Sequence, residues 1–329
     1  MYQALYRKYR PSVFSDVCGQ EHITSVLRYE TESGRVSHAY LFCGSRGTGK
    51  TTCAKILAKA VNCENPKNGE PCGVCESCRA IDAGGAPDVL EMDAASNNGV
   101  DYIRDLRDTV AYTPAMLKKR VYIIDEVHML STSAFNALLK TLEEPPEYVV
   151  FILATTELHK LPATIISRCQ RFDFRRIPLQ VLSDRLMYIA AEEKIHLDPV
   201  AAQQIAKQAQ GGMRDAISLL ELCAGGRREV TVEAVEESVG LSGRGAMLST
   251  INAVADKDYD TLFDQIAEIV RSSKDIGVFL QDLISVYRDM LVIKTTKNAV
   301  SYLDLTDHEM MQLKEAADRF RKETLLFHC

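Results

Sequence analysis

Short apolar runs alternate with amphipathic segments through the first half of the chain. Between them, apolar residues recur at helical spacing, most clearly over residues 131–144, where Pro145 and Pro146 then stop the helix. The alternation predicts an α/β domain whose parallel sheet has helices on both faces. The predicted strands cover residues 39–43, 88–93, 121–125, 149–155 and 171–174.

From about residue 178 onward, the strand pattern gives way to successive helical periods. Asp198 and Pro199 predict a helix N-cap followed by a first-turn proline, and Gly211 and Gly212 predict where that helix ends. Further helices are expected over residues 213–224, 259–271, 276–294 and 307–326, with a second break at 240–243. We therefore expect three domains: an α/β domain over 1–177, a small helical domain over 178–242 and a helical domain over 243–329.

Composition narrows the function classes. The 329 residues are 46% hydrophobic and 26% charged, which is typical of a globular protein. No run reaches the roughly 18 apolar residues of a membrane span, and the first residues lack a signal-peptide core, so a cytoplasmic location and no membrane partner are expected. The net charge of −6 argues against tight nucleic-acid binding by the chain alone. Residues 118–120, Lys-Lys-Arg, are either a local basic patch or a solvated loop.

Residues 44–51 fit the phosphate-binding loop pattern of Gly, four residues, then Gly-Lys-Thr. An apolar strand precedes the loop and a helical pattern follows it, so backbone N–H groups and a helix N-terminus can face an anion. Lys50 is expected to reach the β and γ phosphates of a nucleotide, and the Thr51 hydroxyl to bind Mg²⁺. The alternative is a glycine-rich turn with a chance Lys-Thr. The expected nucleotide-binding residues of the loop are Gly44, Ser45, Arg46, Gly47, Thr48, Gly49, Lys50, Thr51 and Thr52.

A second buried strand ends in two carboxylates, Asp125 and Glu126. Asp125 is placed to hold Mg²⁺ through water, and Glu126 to polarise the water that attacks the γ-phosphate. The alternative is that the two acids cap the next helix. With the phosphate-binding loop upstream, the pair favours nucleotide hydrolysis over binding alone.

Three further residues are candidates for contact with the phosphates. Thr155 ends an apolar strand and can hydrogen-bond the γ-phosphate or the lytic water, although threonine is also a common turn residue. Arg168 lies just before a predicted strand, and Arg214 lies near a helix N-terminus, where the helix dipole does not favour a cation. Each arginine either contacts phosphate or forms a surface ion pair.

Four cysteines fall within sixteen residues, at Cys63, Cys72, Cys75 and Cys78. Four thiolates among turn-forming Pro and Gly residues can close a tetrahedral zinc site. Because no histidine or carboxylate intrudes, a structural rather than a catalytic metal is favoured. Two disulfides or an iron–sulfur cluster are the alternatives. We interpret the cluster, at about residues 63–78, as an insertion in the α/β domain.

With these pieces in place, the chain closely resembles the gamma/tau ATPases of the bacterial DNA polymerase III clamp loader, in the AAA+ superfamily. The resemblance covers residues 1 to about 240 densely, and its combination with a four-cysteine insertion is specific to this subunit type. It is carried by residues 9–11 and 14–21, the loop 44–51, the four cysteines, and residues 125–128, 138–146, 167–169 and 212–216.

The resemblance implies roles that spacing alone does not give. Arg168 is expected to be an arginine finger that acts on the ATP of a neighbouring subunit. Arg214 is expected to touch the γ-phosphate in its own subunit from a helical lid, and Thr155 to be the sensor on the strand beside the acidic one. The family fold is a five-stranded parallel sheet followed by the lid and a helical collar domain. The residues expected to line the adenine pocket are Tyr6, Tyr9, Arg10, Pro11, Val17 and Cys18.

The resemblance also implies partners and cofactors. The partners are copies of the chain itself, delta and delta-prime type subunits, the sliding clamp, and primed DNA through the assembled complex. A longer form is expected to bind the polymerase core and the replicative helicase. ATP, Mg²⁺ and Zn²⁺ are the expected cofactors. The collar of the family extends further than residue 329, so the third domain is expected to be incomplete.

The resulting hypothesis is an ATP-hydrolysing clamp-loader motor that acts in chromosomal replication. One rival is another AAA+ DNA-remodelling ATPase, such as a helicase loader or a branch-migration motor. A rival from a different class is a scaffold that binds nucleotide without hydrolysing it, against which Lys50, Thr51 and Glu126 together argue. No acidic triad for nucleotidyl transfer is visible, so a polymerase activity would belong to the holoenzyme.

Overall fold

The structure is a computed structural model of the 329-residue chain. It describes residues 3–97, 99–239, 244–271, 276–296, 298–299, 302–303, 305 and 307–328. The chain divides into two compact units, Met1–Glu229 and Val230–Cys329. Within the described residues, no helix is both long and apolar enough to cross a membrane.

The first unit is built on a five-stranded, wholly parallel sheet with the order β2-β3-β4-β1-β5. All five predicted strands are present, two with the predicted bounds and three shifted by a single residue at one or both ends. The three central strands of this order have near-continuous apolar sequences, which reflects their burial on both faces of the sheet. The strands are β1 (Ala39–Cys43), β2 (Val89–Asp93), β3 (Arg120–Asp125), β4 (Val149–Thr155) and β5 (Gln170–Asp173).

Helices cover both faces of this sheet, as the alternating pattern predicts. Successive β1 residues enter different cores: Leu41 packs with helices α5 and α6, and Tyr40 and Phe42 pack with α2 and α3. The helices of the first unit are α1 (Leu5–Lys8), α2 (Glu21–Ser33), α3 (Lys50–Asn62), α4 (Glu76–Asp82), α5 (Val100–Val110), α6 (Thr132–Glu143), α7 (Ala163–Ile166), α8 (Leu179–Glu192), α9 (Pro199–Gln208) and α10 (Met213–Ala224).

The expected helix caps are present. Asp198 is the N-cap of α9, where its carboxylate accepts a hydrogen bond from Val200 N at 2.8 Å and Pro199 begins the helix. Ser131 caps α6 by accepting from Ala134 N at 3.3 Å. One expectation is wrong, because strands do not vanish after residue 178. Strands β6 (His196–Leu197) and β7 (Glu229–Val230) pair with each other, and they are too short to show a period of two.

The second unit is helical and has its own core, which includes Met247, Ile251, Met290 and Leu313. The single helix expected over 307–326 is two helices in the structure, because the chain turns after Asp318. There the Lys294 ammonium donates to the Ala317 carbonyl at 2.8 Å, which satisfies a carbonyl at the helix end. The predicted break at 240–243 lies outside the described residues. The helices are α11 (Val232–Val239), α12 (Arg244–Asp256), α13 (Tyr259–Arg271), α14 (Ile276–Thr295), α15 (Asp307–Asp318) and α16 (Lys322–His328).

Candidate nucleotide and metal sites

The glycine loop joins β1 to α3 and needs glycine for steric reasons. Gly44 has φ of +147°, and a Cβ there would collide with the carbonyl oxygen of Phe174. Gly47 has φ of +76°, and a Cβ there would lie 3.1 Å from the Cα of Gly212, at the start of α10. The loop therefore curls tightly enough for its backbone to face an anion at the N-terminus of α3.

Lys50 and Thr51 lie at the start of α3 and face the acidic end of β3. The Lys50 ammonium donates to the carbonyls of Gly44 and Ser45, each at 2.8 Å. Burial lowers the pKa of Lys50, and the carboxylates of β3 oppose that shift. The Thr51 hydroxyl donates to Asp125 Oδ2 at 2.6 Å. A hydroxyl and a carboxylate are the hard oxygen donors that Mg²⁺ prefers, so this pair fits a magnesium site.

Glu126 lies beside this pair in an unusual backbone conformation. Its φ is +46°, which a non-glycine residue adopts at a cost of about 1–2 kcal/mol. Its carboxylate accepts from the Thr156 hydroxyl at 2.9 Å and lies 3.4 Å from Nδ1 of His128. Its own backbone N–H donates to Asp125 Oδ1 at 2.9 Å. These contacts hold the carboxylate in one place, as a general base requires.

Thr155 is fully buried at the end of β4 and does not line the cavity in this structure. Its hydroxyl lies 3.0 Å from Nδ1 of His128 and accepts from Glu157 N at 3.0 Å. The residue that contacts Glu126 is Thr156, one position later. Sequence reasoning missed Thr156 and gave His128 no role, because an apolar strand ending in two threonines does not indicate which one faces the acid.

A cavity of about 1130 Å³ opens over the glycine loop. All six residues expected at the adenine line it, as do Lys50, Thr51 and both acids of β3. Cationic side chains outnumber acidic ones in the lining, which suits a polyphosphate anion. Sequence reasoning missed the residues that reach the cavity from the region after β5, because no local pattern marks them. These are Ile177, Arg185, Met213 and Ile217.

The segment around α1 lies over this cavity and is bound to both of its sides. Leu5 N donates to Glu221 Oε1 of α10 at 3.1 Å, and the Tyr9 hydroxyl donates to Glu193 Oε1, after α8, at 2.5 Å. Burial, followed by Glu193, raises the pKa of Tyr9. Arg10 Nε donates to Thr52 Oγ1 of α3 at 3.1 Å. The segment therefore connects the glycine-loop helix to the helices after β5.

The structure brings Arg214 to the cavity. Met213 N donates to Gly47 O at 2.9 Å, which fixes the start of α10 against the glycine loop. The guanidinium of Arg214 lies over the ring of Tyr6, with Cζ 4.9 Å from the ring centroid. In the described part of the chain, Arg214 forms no ion pair with Asp215 or with another acid, so the surface ion pair considered for it is not formed.

Arg168 lies outside the cavity lining, just before β5. Its guanidinium donates to Glu143 Oε1 at 2.6 Å and to the Thr164 carbonyl at 2.8 Å, and a third of the side chain is exposed. Within one chain, it therefore forms a surface ion pair and does not contact the lining of its own nucleotide site.

The four cysteines of the insertion converge. The Sγ atoms of Cys63, Cys72, Cys75 and Cys78 all lie within 4.8 Å of one another, and all four are free thiols. Tetrahedral zinc with Zn–S bonds of about 2.3 Å places its sulfurs about 3.8 Å apart, so the arrangement fits the ion. Backbone N–H groups at Val74 and Cys75 lower the pKa of Cys72 to about 6, which favours the thiolate that a metal binds, whereas burial raises the pKa of Cys63 and of Cys78.

The insertion is fastened to the glycine-loop helix. Lys59 of α3 pairs with Asp82 of α4 at 2.8 Å, and the Lys118 ammonium donates to the Cys63 carbonyl at 2.7 Å. Of the basic triplet 118–120, Lys118 is exposed and Lys119 is half-buried, both in a loop before β3. Its third member, Arg120, is buried and pairs at 3.0 Å with Asp88, which is also buried.

Removing one ligand is expected to release the metal. We expect the purified chain to hold one zinc ion, and Cys78→Ser to hold none, with a loss of roughly 3 kcal/mol or more in unfolding free energy. Atomic absorption and thermal denaturation measure both quantities. The matched control is Cys53→Ser, a buried cysteine of α3 outside the cluster, which should keep its zinc. Equal zinc content in Cys78→Ser and the unaltered protein contradicts the assignment.

Comparison with known proteins gives matches along most of the chain. Residues 19–178 match the family model described as DNA polymerase III, delta subunit. Residues 181–222 match the DNA polymerase III clamp loader subunit, ATPase lid domain. Residues 230–327 match domain III of the DNA polymerase III subunits gamma and tau.

Curated relatives agree with these matches. The chain is 49% identical over 306 residues to the DNA polymerase III subunit tau of Bacillus subtilis, covering 92% of this chain and 54% of that protein. It is 42% identical over 300 residues to subunit tau of Escherichia coli, covering 91% of this chain and 47% of that protein. The chain thus spans about half the length of these relatives.

Solved structures also share the fold. The RuvB Holliday junction branch migration motor of Thermotoga maritima aligns with a TM-score of 0.53 and 18% identity, over 75% of this chain and 79% of that one. At this identity, the likeness extends to the fold alone.

Proposed function

Since the chain belongs to the gamma/tau family of DNA polymerase III clamp-loader subunits, we propose that it is the ATP-hydrolysing motor that loads the sliding clamp onto primed DNA in chromosomal replication. The observation that carries the proposal is the hydrogen bond between Thr51 and Asp125, with Glu126 held beside it. This arrangement provides a metal site and a base at the phosphate end of one cavity.

Each group at this end of the cavity has a proposed task. Thr51 and Asp125 hold Mg²⁺, which supplies charge neutralisation for the phosphates. Lys50 binds the β and γ phosphates, and Glu126 orients and polarises the attacking water. Arg214, near the start of α10, contacts the γ-phosphate. Thr155 stays a predicted sensor. In this structure, Nδ1 of His128 lies 3.0 Å from the Thr155 hydroxyl and 3.4 Å from a carboxylate oxygen of Glu126.

Assembly with other clamp-loader subunits is supported by the second unit, taken by itself. Along α13, Tyr259, Phe263, Ile266 and Val270 recur on one helix face and are all exposed. An exposed apolar stripe of this kind marks a protein interface. We assign it to copies of this chain and to delta and delta-prime type subunits, in a collar.

The three-domain division also stays a proposal, since the observed unit boundary, at Glu229, precedes the expected one at 242.

Contact with DNA and the clamp is assigned to the assembled complex. The charge of −6 is unsuited to DNA binding by a single chain, whereas several subunits can each offer a few contacts to the backbone. Polymerase core and replicative helicase are proposed partners of a longer form only.

The proposal is tested by reconstituting the complex with partner subunits, labelled clamp and primed circular DNA. We expect clamp to become topologically linked to DNA only with ATP, and ATP turnover to rise when clamp and primed DNA are both present. A branch-migration motor would instead respond to junction DNA without clamp. A nucleotide-stabilised scaffold would show no turnover under any condition.

A further inference from the structure

Tyr6 is held beside Arg214 by contacts that do not involve the nucleotide. Leu5 N is bonded to Glu221 of α10, and the Lys8 ammonium donates to Glu193 Oε1 at 2.6 Å. These contacts anchor α1 on α10, the helix that carries Arg214, and on the residue that follows α8. The Tyr6 ring thereby lies against the Arg214 guanidinium, while the guanidinium of Arg7 is farther from the ring centroid, at 5.7 Å.

The position of Arg214 needs such a support. A cation at a helix N-terminus is disfavoured by the helix dipole. Burial, and after it the positive charge of Arg214, lowers the pKa of Arg10, so two positive groups lie close together. An arginine side chain also loses much rotamer freedom when it is fixed. The face of an aromatic ring attracts a guanidinium and limits its conformations, so part of that cost is met before a ligand binds.

The backbone determines which part of the ligand Tyr6 and Arg214 face. Met213 N is hydrogen-bonded to Gly47 O, so Arg214 directly follows a residue that contacts the glycine loop. Tyr6 therefore supports Arg214 next to the phosphate end of the cavity. The family resemblance implies that Tyr6 lies at the adenine, where its loss would weaken the binding of every adenine nucleotide equally.

We propose that Tyr6 is a positioning residue that holds Arg214 for the γ-phosphate and so makes the site prefer ATP over ADP. This inference rests on the proposed function of the site as an ATP site. A residue that acts through Arg214 changes binding of a nucleotide with a γ-phosphate and leaves ADP binding unchanged. A direct adenine contact changes both.

The test compares Tyr6→Leu, which removes the ring face, with Tyr6→Phe, which keeps it. Dissociation constants of the full chain for ATPγS and ADP are measured by titration calorimetry in Mg²⁺ buffer. Tyr6→Leu is expected to lose about three- to ten-fold in ATPγS affinity at unchanged ADP affinity, and Tyr6→Phe to stay within about twofold for both. Unchanged ADP binding also shows that the site is folded. Equal losses for both nucleotides, or no loss for either, overturn the proposal.

A double-mutant cycle separates this inference from the proposed function. Arg214→Gln alone is expected to remove most of the ATPγS preference, and adding Tyr6→Leu to it should change nothing further. If Arg214→Gln lowers the preference and Tyr6→Leu does not, the role of Tyr6 is refuted and the role of Arg214 stands. If Arg214→Gln leaves the preference unchanged, both roles are refuted. A further loss from Tyr6→Leu in the Arg214→Gln background also refutes positioning through Arg214.

Discussion

Replacing Glu126 with glutamine is expected to slow ATP hydrolysis by about 10²–10⁴-fold, the range that general-base catalysis contributes. Glutamine keeps the shape of the side chain and an acceptor for the Thr156 hydroxyl, so the positive-φ backbone and the neighbouring contacts should persist. The amide cannot take a proton from water. ATP affinity should therefore stay close to its original value while single-turnover hydrolysis in the assembled complex falls.

The matched control is Glu32→Gln, at an exposed position of α2, which removes the same charge away from the cavity. Its turnover should equal that of the unaltered protein. If Glu126→Gln retains more than about a tenth of the turnover, Glu126 is not the base, and the scaffold alternative regains support.

Loss of the Arg168 side chain should have the largest effect of any change outside the cavity. Arginine fingers contribute about 10³–10⁵ in turnover, so Arg168→Ala is expected to reduce hydrolysis in the assembled complex by that order. ATP binding by the isolated chain should not change, because Arg168 is on the surface and pairs with Glu143. Nucleotide titration and turnover of the reconstituted complex measure the two quantities.

Arg171→Ala is the matched control for this experiment. Arg171 is an exposed arginine of β5 that pairs with Asp173 at 2.8 Å, three residues from Arg168. Its removal should leave turnover unchanged. Equal losses from both substitutions would indicate a damaged surface of the subunit, and a fall in ATP affinity in Arg168→Ala would place the arginine in its own subunit's site.

The centre of the sheet could be predicted because β1, β3 and β4 are buried on both faces and their sequences are almost unbroken apolar runs. In Tyr40, Leu41 and Phe42, for example, neighbouring residues enter opposite cores, so each of them must be apolar. The two-residue strand at His196 carries no such pattern. Its pairing arises because His196 N meets the carbonyl of Arg228, a contact between distant residues that no local sequence records.

The site could be predicted only in part, for a similar reason. Lys50 and Asp125 follow from motifs whose chemistry depends on fixed spacing. Ile217 reaches the cavity only because α10 lies against the glycine loop. The partner of Arg214 was also beyond sequence reasoning, since Tyr6 is distant along the chain and the neighbouring Asp215 is the simpler choice.

The proposed function requires two subunits for each active ATP site, with Lys50 from one and Arg168 from the next. It is tested most directly by mixing Lys50→Ala subunits, which keep Arg168 but cannot hold the phosphates, with Arg168→Ala subunits, which keep the phosphate site. ATP turnover is measured in complexes reconstituted from each variant alone and from the mixture. Each variant alone should be inactive, and the mixture should recover turnover. A mixture no more active than either variant alone would contradict the two-subunit requirement.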